Sequence, residues 1–167
     1  MRSVSQVIRA KGIGNIVYLD ESGFDNRVSS THGWAKKGKK LYREVTGKRE
    51  ARENLIAARR GQELLAPMIT RGSVNAKSFE KWLEEWLFKE LNPDSTLILD
   101  NSPIHRRWVI ERMVAEAGHT VIFLPKYSPD FNKIEHDFAA LKKRRANAPI
   151  DTPLDVIISD YAGRSAL

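Results

Sequence analysis

Hydrophobic and polar positions along this chain fall into two rhythms. Residues 15–20 (NIVYLD) make a short apolar run, rich in β-branched and aromatic residues, that closes on an acid. Residues 96–100 (TLILD) repeat the pattern and close on Asp100, and residues 120–124 (TVIFL) form a third run stopped by Pro125. Continuous rather than alternating apolar runs of this length predict strands buried on both faces. Between the first two runs, GWAKKGKKLYREV and RENLIAARRGQELLAPMITRG carry short apolar stretches punctuated by glycine, which predicts a hairpin or meander. The period then changes. Phe79, Trp82, Leu83, Trp86, Leu87 and Leu91 fall on one helical stripe, with Asn75 as its cap, Asn92-Pro93 as its end, and both tryptophans in the core. A second helix follows Asp100, turning Val109, Ile110, Met113, Val114 and Ala117 inward and stopping at Gly118. A third runs from about Phe131 to Arg145 with Ile134, Phe138 and Leu141 facing the core, and residues 153–167 predict a last short helix.

Buried strands separated by amphipathic helices predict an α/β layer architecture, a mixed five-stranded sheet flanked by helices. One domain accounts for the chain: a lead-in over 1–14, the main domain over 15–147 and a tail over 148–167.

Composition narrows the chemistry. The 167 residues are 41% hydrophobic, enough for a real core, so disorder is not the expected state. With no cysteine, disulfides, thiolate nucleophiles and Cys-containing zinc sites are excluded, and the four histidines show no HExxH spacing. No apolar run approaches the roughly 20 residues of a membrane span, and no secretory signal opens the chain, so a soluble cytoplasmic protein is expected. The 28 Lys+Arg against 21 Asp+Glu give a net charge of +7, which favours a polyanionic partner such as nucleic acid. A generic basic surface is the other reading of the same number.

The chemistry-bearing candidates are carboxylates. Two buried strands that each end in aspartate place Asp20 and Asp100 at the carboxyl edge of the sheet, where α/β folds bind ligands. Adjacent like charges raise each other's pKa unless a cation intervenes, and Mg²⁺ takes such oxygen ligands. The alternative is that both acids simply cap the segments that follow. Glu135, in the first turn of the third helix and one position off its apolar stripe, supplies a third carboxylate directed toward the sheet edge. Asp130 lies in the turn chemistry of Ser128-Pro129-Asp130, and Asp137, roughly 200° around the helix from Glu135, is expected in solvent.

YLDESGF (18–24), GWAKKGKK (33–40), LILDNSPIH (97–105) and FLPKYSPDFNKIEHDFAALKKR (123–144) resemble the mariner-like superfamily of DDE transposases, and most closely the bacterial insertion-sequence 630 family. The likeness covers about residues 15–145 in the family's motif order, and the thirty-four residues 101–134 between Asp100 and Glu135 match the family's spacing. Ser102, Lys126, Phe131 and Lys133 depart from the usual DNAPIH and LPPYSPDLNPIE wording. The resemblance implies a ribonuclease-H-like fold and a site of Asp20, Asp100 and Glu135 holding two Mg²⁺ ions, with Mn²⁺ able to substitute. It implies cleavage at transposon ends and strand transfer into target DNA at TA dinucleotides. It also implies a dimer on DNA, a bacterial and nucleoid-associated location, and end recognition by a helix-turn-helix domain that is separate or missing. Asn101 and His105 support Asp100 in this reading, a helix-start role being the alternative. Lys36, Lys37, Lys39, Lys40, Arg43, Arg106, Arg107, Lys126, Lys142, Lys143 and Arg144 are the expected DNA contacts. Compensation of a helix dipole equally explains the cluster at 142–145. Two other functions remain open: a catalytically idle, regulatory DNA-binding remnant, and an RNA-directed nuclease, against which the 34-residue interval argues.

Overall fold

The computed structural model describes residues 3–25 and 52–165, so the expected contacts Lys36, Lys37, Lys39, Lys40 and Arg43 lie outside the described residues. Five strands form one sheet in the order β3-β2-β1-β4-β5: β1 (Ile16–Phe24), β2 (Glu53–Arg60), β3 (Glu63–Arg71), β4 (Thr96–Leu99) and β5 (Thr120–Phe123). β2 runs antiparallel to both β1 and β3, whereas β4 runs parallel to both β1 and β5. The mixed sheet expected from the sequence is therefore present. β1 does not stop at its acid, however. It continues to Phe24 because the DESGF segment keeps pairing with β2, Asp20 opposite Ala57 and Phe24 opposite Glu53.

Side-chain alternation divides the core into two faces. Val17, Leu19, Ile56, Ala58, Leu97 and Leu99 face α2 (Ala76–Trp82) and α3 (Arg107–Glu116). Ile16, Tyr18, Leu55, Ala57 and Ile98 face α1 (Val4–Lys11), α4 (Ile134–Asn147) and α5 (Leu154–Ser165). The result is helix, sheet, helix in three layers. Both terminal segments join the second face, α1 through Val7 and α5 through Leu154, Ile157 and Ile158. No helix among the described residues is long and apolar enough to cross a membrane.

The helical stripe from Phe79 holds with one correction. Asn75 caps α2 by accepting from the Ser78 N–H, as its sequence position predicts. After Trp82 the helix widens into a π turn over Leu83–Leu87 and tightens again over Phe88–Glu90. In a π turn the residue five positions on lies beneath the first. Leu87 therefore takes the inward place below Trp82, and both are fully buried, while Trp86 turns outward to 47% exposure instead of joining the core. Trp82 also donates its indole N–H to the Ala66 carbonyl at 2.8 Å. Ala66 lies at the bulge where β3 slips against β2, with a φ of 46°.

Candidate active site

Strand register brings the first two acids together. β1 and β4 pair Ile16 with Thr96, Val17 with Leu97 and Tyr18 with Ile98. Carried two steps further, the same register sets Asp20 beside Asp100. Alternation then orients them, because Tyr18 and Ile98 face the α4 layer and Asp20 and Asp100 stand at the next even positions. α4 begins at Ile134 rather than near Phe131, since Pro129–Phe131 forms a separate short turn. Glu135 is thus the second residue of α4, at the end of the helix that abuts β1. Asp20, Asp100 and Glu135 line one cleft of about 380 Å³ together with Asn101, Lys126, Tyr127 and Asn132.

The electrostatics of this cleft are set mainly by the burial of Asp20, which is 8% exposed. Burial pushes its carboxyl up to about 8, the neighbouring Asp100 and Glu21 charges push the same way, and a hydrogen bond with Glu135 adds to them. The Glu21 N–H, donating to Asp20 Oδ1 at 2.8 Å, opposes the shift. Asp100 Oδ1 is buried and receives no hydrogen bond among the described residues.

On the opposite face of the sheet, His105 stacks on Phe79 with ring centroids 4.5 Å apart and lies between two acids. Its Nε2 is 3.3 Å from Glu21 Oε2 and its Nδ1 is 3.3 Å from Asp100 Oδ1, the latter close but not aligned as a hydrogen bond. Burial alone would depress this imidazole, but Asp100 and Glu21 raise it to about 9, so it is a cation at neutral pH. Glu21 carries no sequence pattern of its own, and only the strand pairing reveals that it reaches His105.

The other expected residues are scattered. Lys126 lines the cleft. Arg106 forms a forked pair with Glu80 of α2, and Arg107 pairs with Glu111 and lies over the Phe123 ring. Lys142 sits over the Phe24 ring, whereas Lys143 and Arg144 border a crevice between α4 and α5, where Arg144 pairs with Asp160 at 3.1 Å. Asp137 is not in solvent as its helical phase predicts. It is 7% exposed, accepts from the Tyr161 hydroxyl and pairs with Arg59 at 3.3 Å, because α5 folds back over this side of α4. Asp130 is exposed within the short turn before α4, consistent with its turn role.

Asn132 is a residue that sequence reasoning missed. It is 3% exposed, and its Nδ2 donates to the Leu19 carbonyl at 3.1 Å. A buried asparagine between two charged motifs offers no local signal, since its partner lies 113 positions away.

With this geometry in view, comparison with known proteins gives a consistent answer. Residues 15–156 match the family described as DDE superfamily endonuclease. No curated protein sequence matches significantly. Among solved structures, a Mos1 transposase paired-end complex with left transposon end superposes with a TM-score of 0.70 at 15% identity, over 93% of this chain and 50% of that one. The catalytic domain of Mos1 mariner transposase gives 0.66 at 15% identity, over 93% and 74% of the two chains. A structure of that catalytic domain with Raltegravir and Mg gives 0.64 at 14% identity, over 95% and 75%. This chain spans about half the length of the Mos1 chain in the end complex. At these identities the likeness establishes the fold, the ribonuclease-H-like architecture of the Mos1 catalytic domain. The matched span covers well over half of the sequence, and by it the chain belongs to the DDE superfamily of endonucleases.

Proposed function

We propose that this chain is the catalytic domain of a DNA transposase of the mariner-like superfamily, in its insertion-sequence 630 branch, with residues 15–147 as the catalytic unit. The observation that carries this reading is the convergence of Asp20, Asp100 and Glu135 on one cleft from two adjacent parallel strands and one helix start. The relatives of this fold described as complexes with transposon ends, Mg or Mn support the choice of DNA and divalent ions.

The residues present fit such ions. Asp20 is a buried carboxyl kept protonated first by burial and then by two acidic neighbours, a state that a bound cation would relieve, and Asp100 Oδ1 is a buried oxygen that accepts no aligned hydrogen bond. Among the described residues no three acidic or imidazole groups stand close enough to hold a metal ion by themselves, although the three acids line one cleft. Mg²⁺ keeps waters and takes one or two carboxylates plus substrate phosphate oxygens. Asp20, Asp100 and Glu135 would hold them. When bound, the ions would activate a water or a DNA 3′-hydroxyl as the nucleophile and stabilise the leaving oxygen. The protein's own task is to hold three carboxylates in place. His105 does this for Asp100 from behind the sheet, and Asn101 borders the cleft beside it. Lys126, which lines the cleft, meets the phosphate backbone there, and the DNA contacts expected of the basic residues of α4 and of residues 36–43 belong to the same proposal. Affinity supplied this way is charge-driven and weakly sequence-specific. End recognition by a helix-turn-helix domain, dimerisation on DNA and insertion at TA belong to the same proposal.

A nicking assay on duplexes bearing the element's ends tests it. Cleavage is expected with Mg²⁺ or Mn²⁺, lost with EDTA, and reduced at least 10³-fold in Asp20→Ala, Asp100→Ala and Glu135→Ala, about 4 kcal/mol of barrier. Wild-type-like cleavage by any of the three removes that acid from the site. An inert wild type, supplied with its end-recognition domain, would mark the chain as a regulatory remnant.

A further inference from the structure

We propose that Asn132 is a positioning residue that fixes Glu135 of α4 against Asp20 of β1, so that the two carboxylates can meet one divalent cation. The inference rests on the metal-site reading above and adds to it the device that sets the spacing.

The start of α4 needs such a device. Lys133 occupies the N-cap position without any side-chain cap, so the helix does not locate its own first turn. Asn132 does so from one residue earlier. Its Oδ1 accepts from the Ile134 N–H at 3.4 Å and its main-chain carbonyl accepts from the Glu135 N–H at 3.2 Å. Its Nδ2 meanwhile donates to the Leu19 carbonyl at 3.1 Å, one position before Asp20 on β1. That carbonyl lies one step beyond Tyr18↔Ile98, where β1 outruns its pairing with β4. A single residue, through its side chain on one side and its main-chain carbonyl on the other, thus joins the backbone beside Asp20 to the backbone of Glu135. Arg59 of β2 adds a second tether by donating to the Lys133 carbonyl at 3.2 Å.

Geometry makes this tether matter. Asn132 and Glu135 are three residues apart, less than one helical turn, so displacement at one is passed to the other with little slack. Misplacement of a catalytic group by about 1 Å can cost on the order of 10²-fold in rate. Partners that orient metal-binding side chains typically change metal affinity by about 10–100-fold when removed.

The test is a titration of Mn²⁺ into the 167-residue chain without DNA, read by EPR of the free ion, for wild type, Asn132→Asp, Asn132→Ser and Asp137→Asn. Asn132→Asp keeps the size and the acceptor of the side chain but loses the donor to Leu19. It also adds a negative charge to the cleft, which by charge alone would tighten Mn²⁺ binding. Positioning predicts the opposite sign: affinity about tenfold weaker in Asn132→Asp and in the milder Asn132→Ser. Asp137→Asn perturbs another buried polar residue of α4 and should lower the melting temperature; because its partner Arg59 also holds the Lys133 carbonyl, its Mn²⁺ affinity should fall by less than that of either Asn132 variant. Folded Asn132 variants that bind Mn²⁺ as wild type does, or an equal loss in Asp137→Asn, would overturn the proposal. Failure of the wild type to bind Mn²⁺ would instead remove the metal site on which it rests.

Discussion

Replacing Asp20 with asparagine should abolish cleavage and yet make the metal-free protein more stable. Burial and the neighbouring acids move the Asp20 carboxyl from 3.8 to about 8. The sign follows from linkage. Above about pH 4 the unfolded chain carries this group ionised, while the folded chain keeps the proton until about pH 8. Ionisation therefore favours unfolding across that window, and wild-type stability in EDTA falls as pH rises from 4 to 8 and then levels off. Each pKa unit is worth about 1.4 kcal/mol, so at neutral pH the penalty has a ceiling of about 4 kcal/mol. Water entering the open cleft reduces it to about 1–3 kcal/mol. For a chain of this size 1 kcal/mol moves the melting temperature by about 2–4 °C. Thermal melts by circular dichroism in EDTA should show Asp20→Asn above wild type by about 3–10 °C at pH 7.5, with the gap closing toward pH 4.5. Saturating Mg²⁺ should reverse the order, since it stabilises only a chain that binds it. A gap in EDTA that stays the same at pH 4.5 and pH 7.5 would refute the electrostatic account of this site.

Two further outcomes test the scaffold. Trp82→Ala should cost about 3–5 kcal/mol, through a large cavity and the loss of the indole donor to Ala66, whereas Trp86→Gln should stay within about 0.5 kcal/mol by urea denaturation; comparable losses would contradict the π turn that separates them. Asp137→Ala leaves Arg59 and Tyr161 facing an empty site and should cost about 2–4 kcal/mol, while Tyr161→Phe, which removes only the hydroxyl, should cost about 1 kcal/mol in the same assay. A neutral Asp137→Ala would mean that α5 does not seal this side of α4.

What could be read from the sequence is what depends on local period. The apolar runs ending in Asp20 and Asp100 announced two buried central strands, and alternation from Tyr18 and Ile98 carries both acids to the same face. The cap at Asn75 was equally legible, because its partner Ser78 is three residues away. Four features were not, one through a local change of pitch and the others through partners distant in the chain. The outward turn of Trp86 arises from a local change of helical pitch, which a stripe counted at 3.6 residues per turn cannot register. The extension of β1 through polar DESGF depends on β2, whose partners run from Ala57 opposite Asp20 to Glu53 opposite Phe24. The burial of Asp137 depends on Arg59 and Tyr161, contributed by β2 and α5. Glu21 and Asn132 acquire their roles from His105 and Leu19, 84 and 113 positions away.

This division has a chemical consequence for the site. The three acids are set by strand and helix period, whereas the groups that hold them, His105 with Glu21 behind Asp100 and Asn132 ahead of Glu135, are set by tertiary contact. Carboxylates placed by period alone would repel one another and drift apart, because like charges in a partly buried cleft gain by separating. Two of the restraints act on backbone or from the opposite face of the sheet, so they fix positions without occupying the cleft. In the proposed function, the cleft side of Asp20, Asp100 and Glu135 is thereby left for cations and phosphate. A chain with the same three acids but without these restraints would keep the motif and lose the site.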